Sequence, residues 1–434
     1  MDEGLPLLPP QLRTWTAQTH DLTNPVFSIC DYLEIHGRID PDVITAAHLQ
    51  VEREVDALRL RIDTVAGEHR QFVKAEPSPL HRIYVSDDPD PRTAALTWIE
   101  ADVRLPADPE RLCTAALIET APDRFLLYRK VHHAVMDGWS LALVFNRTAA
   151  VYRELAAGRS GADGALTPFS RLVEGEAAYR AGKGFARDRE HWLDAFADLP
   201  EPVGPSRGRA AVGAGRRRRR QLAPELVAKL GDTAQSLGVT WSDLAVSAIA
   251  AYVGAAAGTS DVLLGLPTAG RLSPQARRAP GMVTNILPLR VPYDAGAALA
   301  DHARRVSRGV REVLLHSRYP TAELSRDVAE RGGSGRLWAA MVNVMLFDHR
   351  LDFAGAPATV HTASIPLTVD LTAYLLQIDT AGTVELILDT HPDLYDEQAT
   401  DSHLEGLLSL LDAVAAAGPQ TLLREVCPEP LPAP

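Results

Sequence analysis

The run Val131-His132-His133-Ala134-Val135-Met136-Asp137-Gly138-Trp139-Ser140 constrains this chain more than any other segment. Residues Arg124 to Val131 before it read as a strand, and Ser140 to Leu155 after it read as a helix. A strand-to-helix turn of this kind projects side chains into a cleft. Neighbours on a strand point to opposite faces, so one histidine faces the cleft while the other packs. Histidine titrates near neutrality and accepts a proton from an attacking amine or hydroxyl. Asp137 can hold the loop by pairing with an arginine, and Gly138 permits a tight turn. Taken singly, each histidine is an ordinary strand-end residue. The whole string, with strand and helix on its flanks, points to a site.

The surrounding pattern is mixed. Asp40-Pro41 reads as an N-cap with proline at the first helical position, and Ile44, Ala47, Val51, Val55 and Leu58 share one helical face. Ala115–Thr120 and Arg124–Val131, joined by Ala121-Pro122-Asp123, read as a β-hairpin. Residues 157–168 are rich in Gly, Ala and Ser and read as a loop. A charged helix is expected over 171–196, then a second loop over 200–215. The second half starts with helices near 224–237 and 241–257 and a strand near 261–266. Strands follow near 286–291, 338–346, 367–378 and 383–388, and a last helix covers 397–416. This alternation makes the class α/β (α+β) with two lobes. A length of 434 residues suits about two or three domains of ordinary size, or one large two-lobed unit. The pattern does not reveal whether the halves are copies of one fold.

Composition removes several function classes. Apolar residues are 46% and charged residues 23%, which excludes disordered, collagen-like and disulfide-miniprotein chains. Lys plus Arg is 44 against 56 Asp plus Glu, a net charge of -12, which argues against non-specific nucleic-acid binding. Cys30, Cys113 and Cys427 form no CxxC pair, so neither zinc nor redox-dithiol chemistry has support, and so sparse a count suits a reducing cytoplasm. The N-terminus has no basic-then-apolar signal pattern. The longest apolar run, about Leu244–Ala257, is shorter than the roughly 20 residues of a membrane span and reads as a buried helix. GxxxxGK[ST], GxSxG and HExxH are absent, and Gly213-Ala214-Gly215 does not complete GxGxxG.

The string HHxxxDG resembles the hallmark of the condensation-domain and acyltransferase superfamily, which includes condensation domains of nonribosomal peptide synthetases. Further segments carry the resemblance over nearly the whole chain. Leu8-Pro9-Pro10-Gln11 to Gln18, Asn24-Pro25-Val26-Phe27 and Tyr32 to Gly37 resemble the family's start. Ala57-Leu58-Arg59 resembles its "ALR" helix end, although Glu54, Val55 and Asp56 depart from the pattern before it. Gly281 to Arg290 resembles the G-x-x-x-N-x-x-P-x-R signature, and Asn343 to Asp348 a further motif. Relatives with cyclisation, inactive or epimerisation roles differ at the positions of His132, His133 or Trp139-Ser140, so the chain is similar to active bond-forming members, including starter-type ones.

The resemblance implies two chloramphenicol-acetyltransferase-like lobes in a V-shaped pseudo-dimer, expected at 1–175 and 176–434, with a tunnel between them. His133 matches the catalytic histidine and Gly138 a main-chain donor to the oxyanion. His132 and Asp137 match structural positions, with Arg59 and Arg290 as candidate partners of Asp137. Trp139 is expected to line the tunnel or, preferably, to pack in the core, and Asn285 to support the tunnel from the second lobe. No bound cofactor or metal is implied; the phosphopantetheine arm of an acyl or peptidyl carrier protein delivers the substrate. Amide formation from a carrier-bound aryl or aminoacyl thioester and an amine is the leading expectation. An ester-forming acyltransferase with an alcohol acceptor, and a non-catalytic carrier-docking module, are the alternatives. Met1 and the length suggest a free-standing enzyme, with an excised domain as the other reading, and the resemblance implies a monomer; no nucleic-acid or membrane partner is expected. The five arginines Arg216–Arg220 suit either an acidic-carrier dock or, preferably, a solvated strand face. His316 lies near a weaker family motif and is not expected to be catalytic, and His349 and His361 are expected to be structural or exposed.

Overall fold

The computed structural model describes residues 4–161 and 166–427. Two β-sheets organise it. In the first, strands lie in the order Ala358–Thr362, Ser28–His36, Arg124–His132, Cys113–Ala121 and Leu80–Tyr84. In the second, the order is Asn285–Pro292, Asp261–Thr268, Ala340–Met345, Leu371–Gln377, Val384–Thr390 and Arg216–Gln221. Each sheet has its own apolar core. Helices Pro41–Glu54 and Gly138–Ala156 cover the first through Ile44, Val51, Val144 and Phe145. Helices Trp241–Ala257, Leu299–Leu315 and Glu397–Ala416 cover the second. The expected two-lobed mixed class is therefore what the chain adopts.

The two halves share one strand plan. In the first sheet, the strands starting at Ser28, Arg124, Cys113 and Leu80 are neighbours in that order, paired antiparallel, antiparallel and parallel. In the second, those starting at Arg216, Val384, Leu371 and Ala340 repeat the same order and senses. The repeat extends to the turn after the second strand of each set. His132 N–H donates to Leu112 O at 2.7 Å, and His391 N–H to Asp370 O at 2.9 Å. His132 Nδ1 accepts from Ala134 N–H at 3.0 Å, and His391 Nδ1 from Asp393 N–H at 3.2 Å. Five residues further on, Asp137 and Asp396 each cap the next helix, accepting from Ser140 and Ala399 N–H at 2.9 and 2.7 Å. Pro392 stands where the first half has His133.

Several sequence expectations shift in detail. The charged helix breaks at Gly182 into Ser170–Ala181 and Lys183–Ala195. The lobe division expected at 175/176 falls inside the first of these helices. Residues 351–362 of the second half also cross over: Leu351, Phe353, Ala358 and Val360 join the first core, and Ala358–Thr362 pairs antiparallel with Ser28–His36. An edge strand needs backbone partners wherever they are nearest in space, and linear order does not record that. The apolar run lies in the helix Trp241–Ala257, almost wholly buried. Among the described residues no single helix is long and apolar enough to cross a membrane.

The arginine run forms the outer strand of the second sheet. Arg218 and Arg220 face the last helix and meet Asp401 at 2.6 Å and Glu405 at 3.4 Å. Arg217 and Arg219 face the other way, toward Asp389 at 2.7 Å and Glu385 at 3.8 Å. Arg216 donates to Tyr395 O at 2.6 Å. These neutralised partners favour the strand-face reading over a carrier dock, and the charged edge discourages pairing with another chain.

Candidate active site

The strand Arg124–His132 ends in the paired histidines, and helix Gly138–Ala156 begins five residues later. The strand itself stops at His132 and His133 is the first residue of the turn; the two rings differ in burial, His132 buried and His133 half-buried. Nδ1 of His132 accepts from Ala134 N–H, so Nε2 carries the proton and donates to Gln18 Oε1 at 2.9 Å. Trp15 meets the ring edge-on at 5.5 Å. Burial, with the neighbouring His133 and Lys130, pushes its pKa down to about 3, so the ring stays neutral. Helix Pro9–Thr19, which supplies Trp15 and Gln18, is itself pinned to the turn by Gln11 Nε2, 2.8 Å from Ala134 O.

His133 is fixed only through its main chain, its N–H donating to Phe27 O at 2.7 Å. The ring is half-buried and makes no side-chain hydrogen bond among the described residues; Nδ1 is buried without a partner. Burial lowers its pKa, opposed by the Asp137 charge and by the main-chain groups of His133 and Met136, and assisted by the Arg13 guanidinium. A neutral imidazole with uncommitted nitrogens can accept a proton from an incoming nucleophile.

Asp137 is wholly buried and saturated. Arg271 reaches it with two nitrogens, at 2.8 and 3.1 Å. Ser140 Oγ lies 2.7 Å away, and Val283 N–H, Thr284 N–H and Thr284 Oγ1 donate at 3.0–3.1 Å. Burial alone would raise the carboxyl's pKa; the Arg271 charge and these hydrogen bonds outweigh it and hold Asp137 below the usual range. The partner is thus neither Arg59 nor Arg290. Arg59 is spent on Glu52 O, Lys74 O and Asp56, and Arg290 on Asp198 and Asp261. Both lie near acids of their own lobe, whereas Arg271 is carried to Asp137 by the turn at Gly270, whose φ of +63° suits glycine. That Gly-Arg pair past a strand end was the available sequence signal, but nothing in the linear order marks one arginine among many.

The remaining expectations divide. Gly138 does not make a left-handed turn: it is the first residue of its helix, and the space where a Cβ would stand is open to 4 Å. Trp139 is half-buried and joins the halves, donating from Nε1 to Arg277 O at 3.0 Å and meeting Phe347 edge-on. Asn285 is buried with its amide committed inside the second half. It donates to Ser317 O and Tyr319 O at 3.0 and 2.7 Å and accepts from Thr321 at 2.5 Å. It fastens two segments together rather than offering a free group. Sequence reasoning passed over Gln18, Ser140, Arg271 and Thr284 as contributors to the site.

Residues 1–429 match the family model described as the condensation domain. The chain belongs to the condensation-domain family. It is 37% identical over its whole length to isonitrile lipopeptide synthase of Streptomyces coeruleorubidus, covering 30% of that protein. It is 31% identical over 96% of its length to a dimodular nonribosomal peptide synthase of Bacillus subtilis, covering 18% of it. The chain therefore spans a third or less of these curated relatives. Among solved structures it is similar to the first condensation domain of the calcium-dependent antibiotic synthetase bound to a substrate analogue. That match has a TM-score of 0.90, 30% identity and coverage of 98% and 99% of the two chains. The starter condensation domain of rhizomide synthetase with C8-CoA and Leu-SNAC gives a TM-score of 0.89 and 29% identity, covering 96% of each chain. Condensation domains of nonribosomal peptide synthetases form amide bonds, and this domain shares their two-lobed fold.

Proposed function

We propose that this condensation domain joins a carrier-bound aryl or aminoacyl thioester to an amine, with His133 as the group that accepts or orients the amine proton. The observation that carries this is the contrast within one turn. His132 and Asp137 are fully hydrogen-bonded, while the His133 ring is free and neutral. The amine nitrogen attacks the thioester carbonyl and the C–S bond breaks. The amine proton passes by way of His133 to the departing thiolate of the phosphopantetheine arm. In this reading Gly138 N–H stabilises the oxyanion between these steps, a role supported by its position at the positive end of its helix. A thioester is already activated, so neither ATP nor an enzyme nucleophile is needed, and much of the rate comes from holding two reactants together.

The test is intact-mass detection of product from carrier- or pantetheine-linked acyl donors mixed with amine and alcohol pools, native protein beside His133→Ala. Amide product that depends on His133 supports the reading, and ester product would move it to the alcohol acceptor. Carrier binding with no product across a broad donor set would instead favour a docking module.

A further inference from the structure

Away from the His133 turn, two helices of the second half bring three metal-ligating side chains together. Glu312 and His316 are four residues apart at the end of helix Leu299–Leu315 and share a face. His191, from helix Lys183–Ala195, lays its ring on that of His316, with centroids 3.7 Å apart and planes 11° from parallel. One ligand atom from each of the three lies within 4.8 Å of the other two. Neither His191 nor Glu312 makes a side-chain hydrogen bond or a close ion pair among the described residues.

His316 is pre-oriented. Its Nδ1 lies 2.9 Å from Asp188 Oδ1, and Asp188 is buried and held by the Tyr179 hydroxyl at 2.9 Å and by Arg187 at 2.7 Å. A carboxylate accepting from Nδ1–H fixes the tautomer and leaves Nε2 as a lone-pair donor. This is the arrangement found behind metal-bound histidines.

We propose that His191, Glu312 and His316 form a site for a divalent transition metal of the zinc class, with Asp188 as the positioning residue for His316. Two imidazoles and one carboxylate suit zinc and leave a fourth position for water. Zinc–nitrogen bonds of about 2.1 Å place tetrahedral donors roughly 3.4 Å apart, so the three donors must draw in by an ångström or so. The lone pairs of parallel rings do not converge. Binding therefore opens the stack, and the unbonded His191 is the ring that turns. The ion cross-links helices Lys183–Ala195 and Leu299–Leu315. Its role is to stabilise the second lobe, because none of its ligands belongs to the His133 turn.

Zinc chloride is titrated calorimetrically into the untagged chain, beside His191→Ala and Glu312→Gln, with circular dichroism confirming that each variant folds. Cobalt(II) substitution adds visible d–d bands that report tetrahedral coordination. The expected result is one equivalent bound, affinity at least tenfold weaker in His191→Ala, and amide formation without added zinc equal in both. Absence of zinc uptake by the native chain, or equal affinity in His191→Ala, would overturn the proposal. Uptake with equal affinity in Glu312→Gln would remove Glu312 from the ligand set and with it the three-donor site.

Discussion

His132 and His133 are chemically identical and adjacent, yet both ring nitrogens of His132 are hydrogen-bonded while Nδ1 of His133 is buried without a partner. Replacing His133 with Ala is expected to lower the amide-forming rate by roughly 10²–10⁴-fold, the usual worth of a general base. The unfolding midpoint should hardly move, since the ring makes no hydrogen bonds to lose. Because burial lowers the pKa of His133, the active neutral form is already dominant at neutrality. Rate against pH should therefore rise to a plateau through an apparent pKa below 6.5. A profile still climbing above pH 8 would assign the titration to another group. At Asp137 the logic reverses. Arg271→Ala leaves a buried carboxylate without its charge partner and is expected to cost about 3–5 kcal/mol, measurable by urea denaturation. Arg59→Ala and Arg290→Ala, which touch neither histidine nor Asp137, should leave the rate per folded molecule unchanged.

Among the elements, the helix Gly138–Ala156 begins with a glycine that no backbone angle requires. Gly138→Ala should fold with native stability, because the added methyl meets nothing within 4 Å. If substrate occupies that open space, kcat/KM falls while the melting temperature holds; unchanged kinetics would show that the space is spare. The arginine strand offers a second comparison. Arg217 shields the wholly buried Asp389, so Arg217→Ala is expected to cost about 3–5 kcal/mol. Arg220 pairs with Glu405 across solvent at 3.4 Å, and Arg220→Ala should stay within about 0.5 kcal/mol of native. Equal losses at both positions would contradict the alternating burial of this edge.

For the molecule as a whole, four buried histidines are held neutral. Burial, with Arg129 beside His48, lowers the pKa of His48 and His132 to about 3 and of His302 and His403 to about 4. In the unfolded chain these rings take up protons below about pH 6.5. The unfolded state therefore binds more protons there, and stability falls with pH from about 6.5 toward 3–4. Each group contributes a slope approaching 1.4 kcal/mol per pH unit where only the unfolded chain is protonated. Urea midpoints should already drop between pH 6.5 and 5, before ordinary carboxylates titrate; level midpoints would show that these rings protonate in place. The shared strand plan also explains why a chain with two equivalent turns has one candidate base. His391 and Asp396 repeat the scaffold of His132 and Asp137, but Pro392 takes the position of His133 and has no proton to exchange.

Sequence alone determined the strand–turn–helix around His133, the hairpin before it, the two-lobed mixed class and, through spaced motifs, the resemblance to condensation domains. These are local or periodic features, and side-chain alternation and helix capping act within a few residues. Tertiary structure decided which arginine meets Asp137, that residues 351–362 complete the first sheet, and that Asn285 is fully committed. It also decided that Arg216–Arg220 is neutralised on both faces, that the halves repeat one plan, and that His191 lies on His316. Each of these depends on groups far apart in the chain meeting under burial, where an unpaired charge or an open strand edge is costly and the nearest partner in space satisfies it.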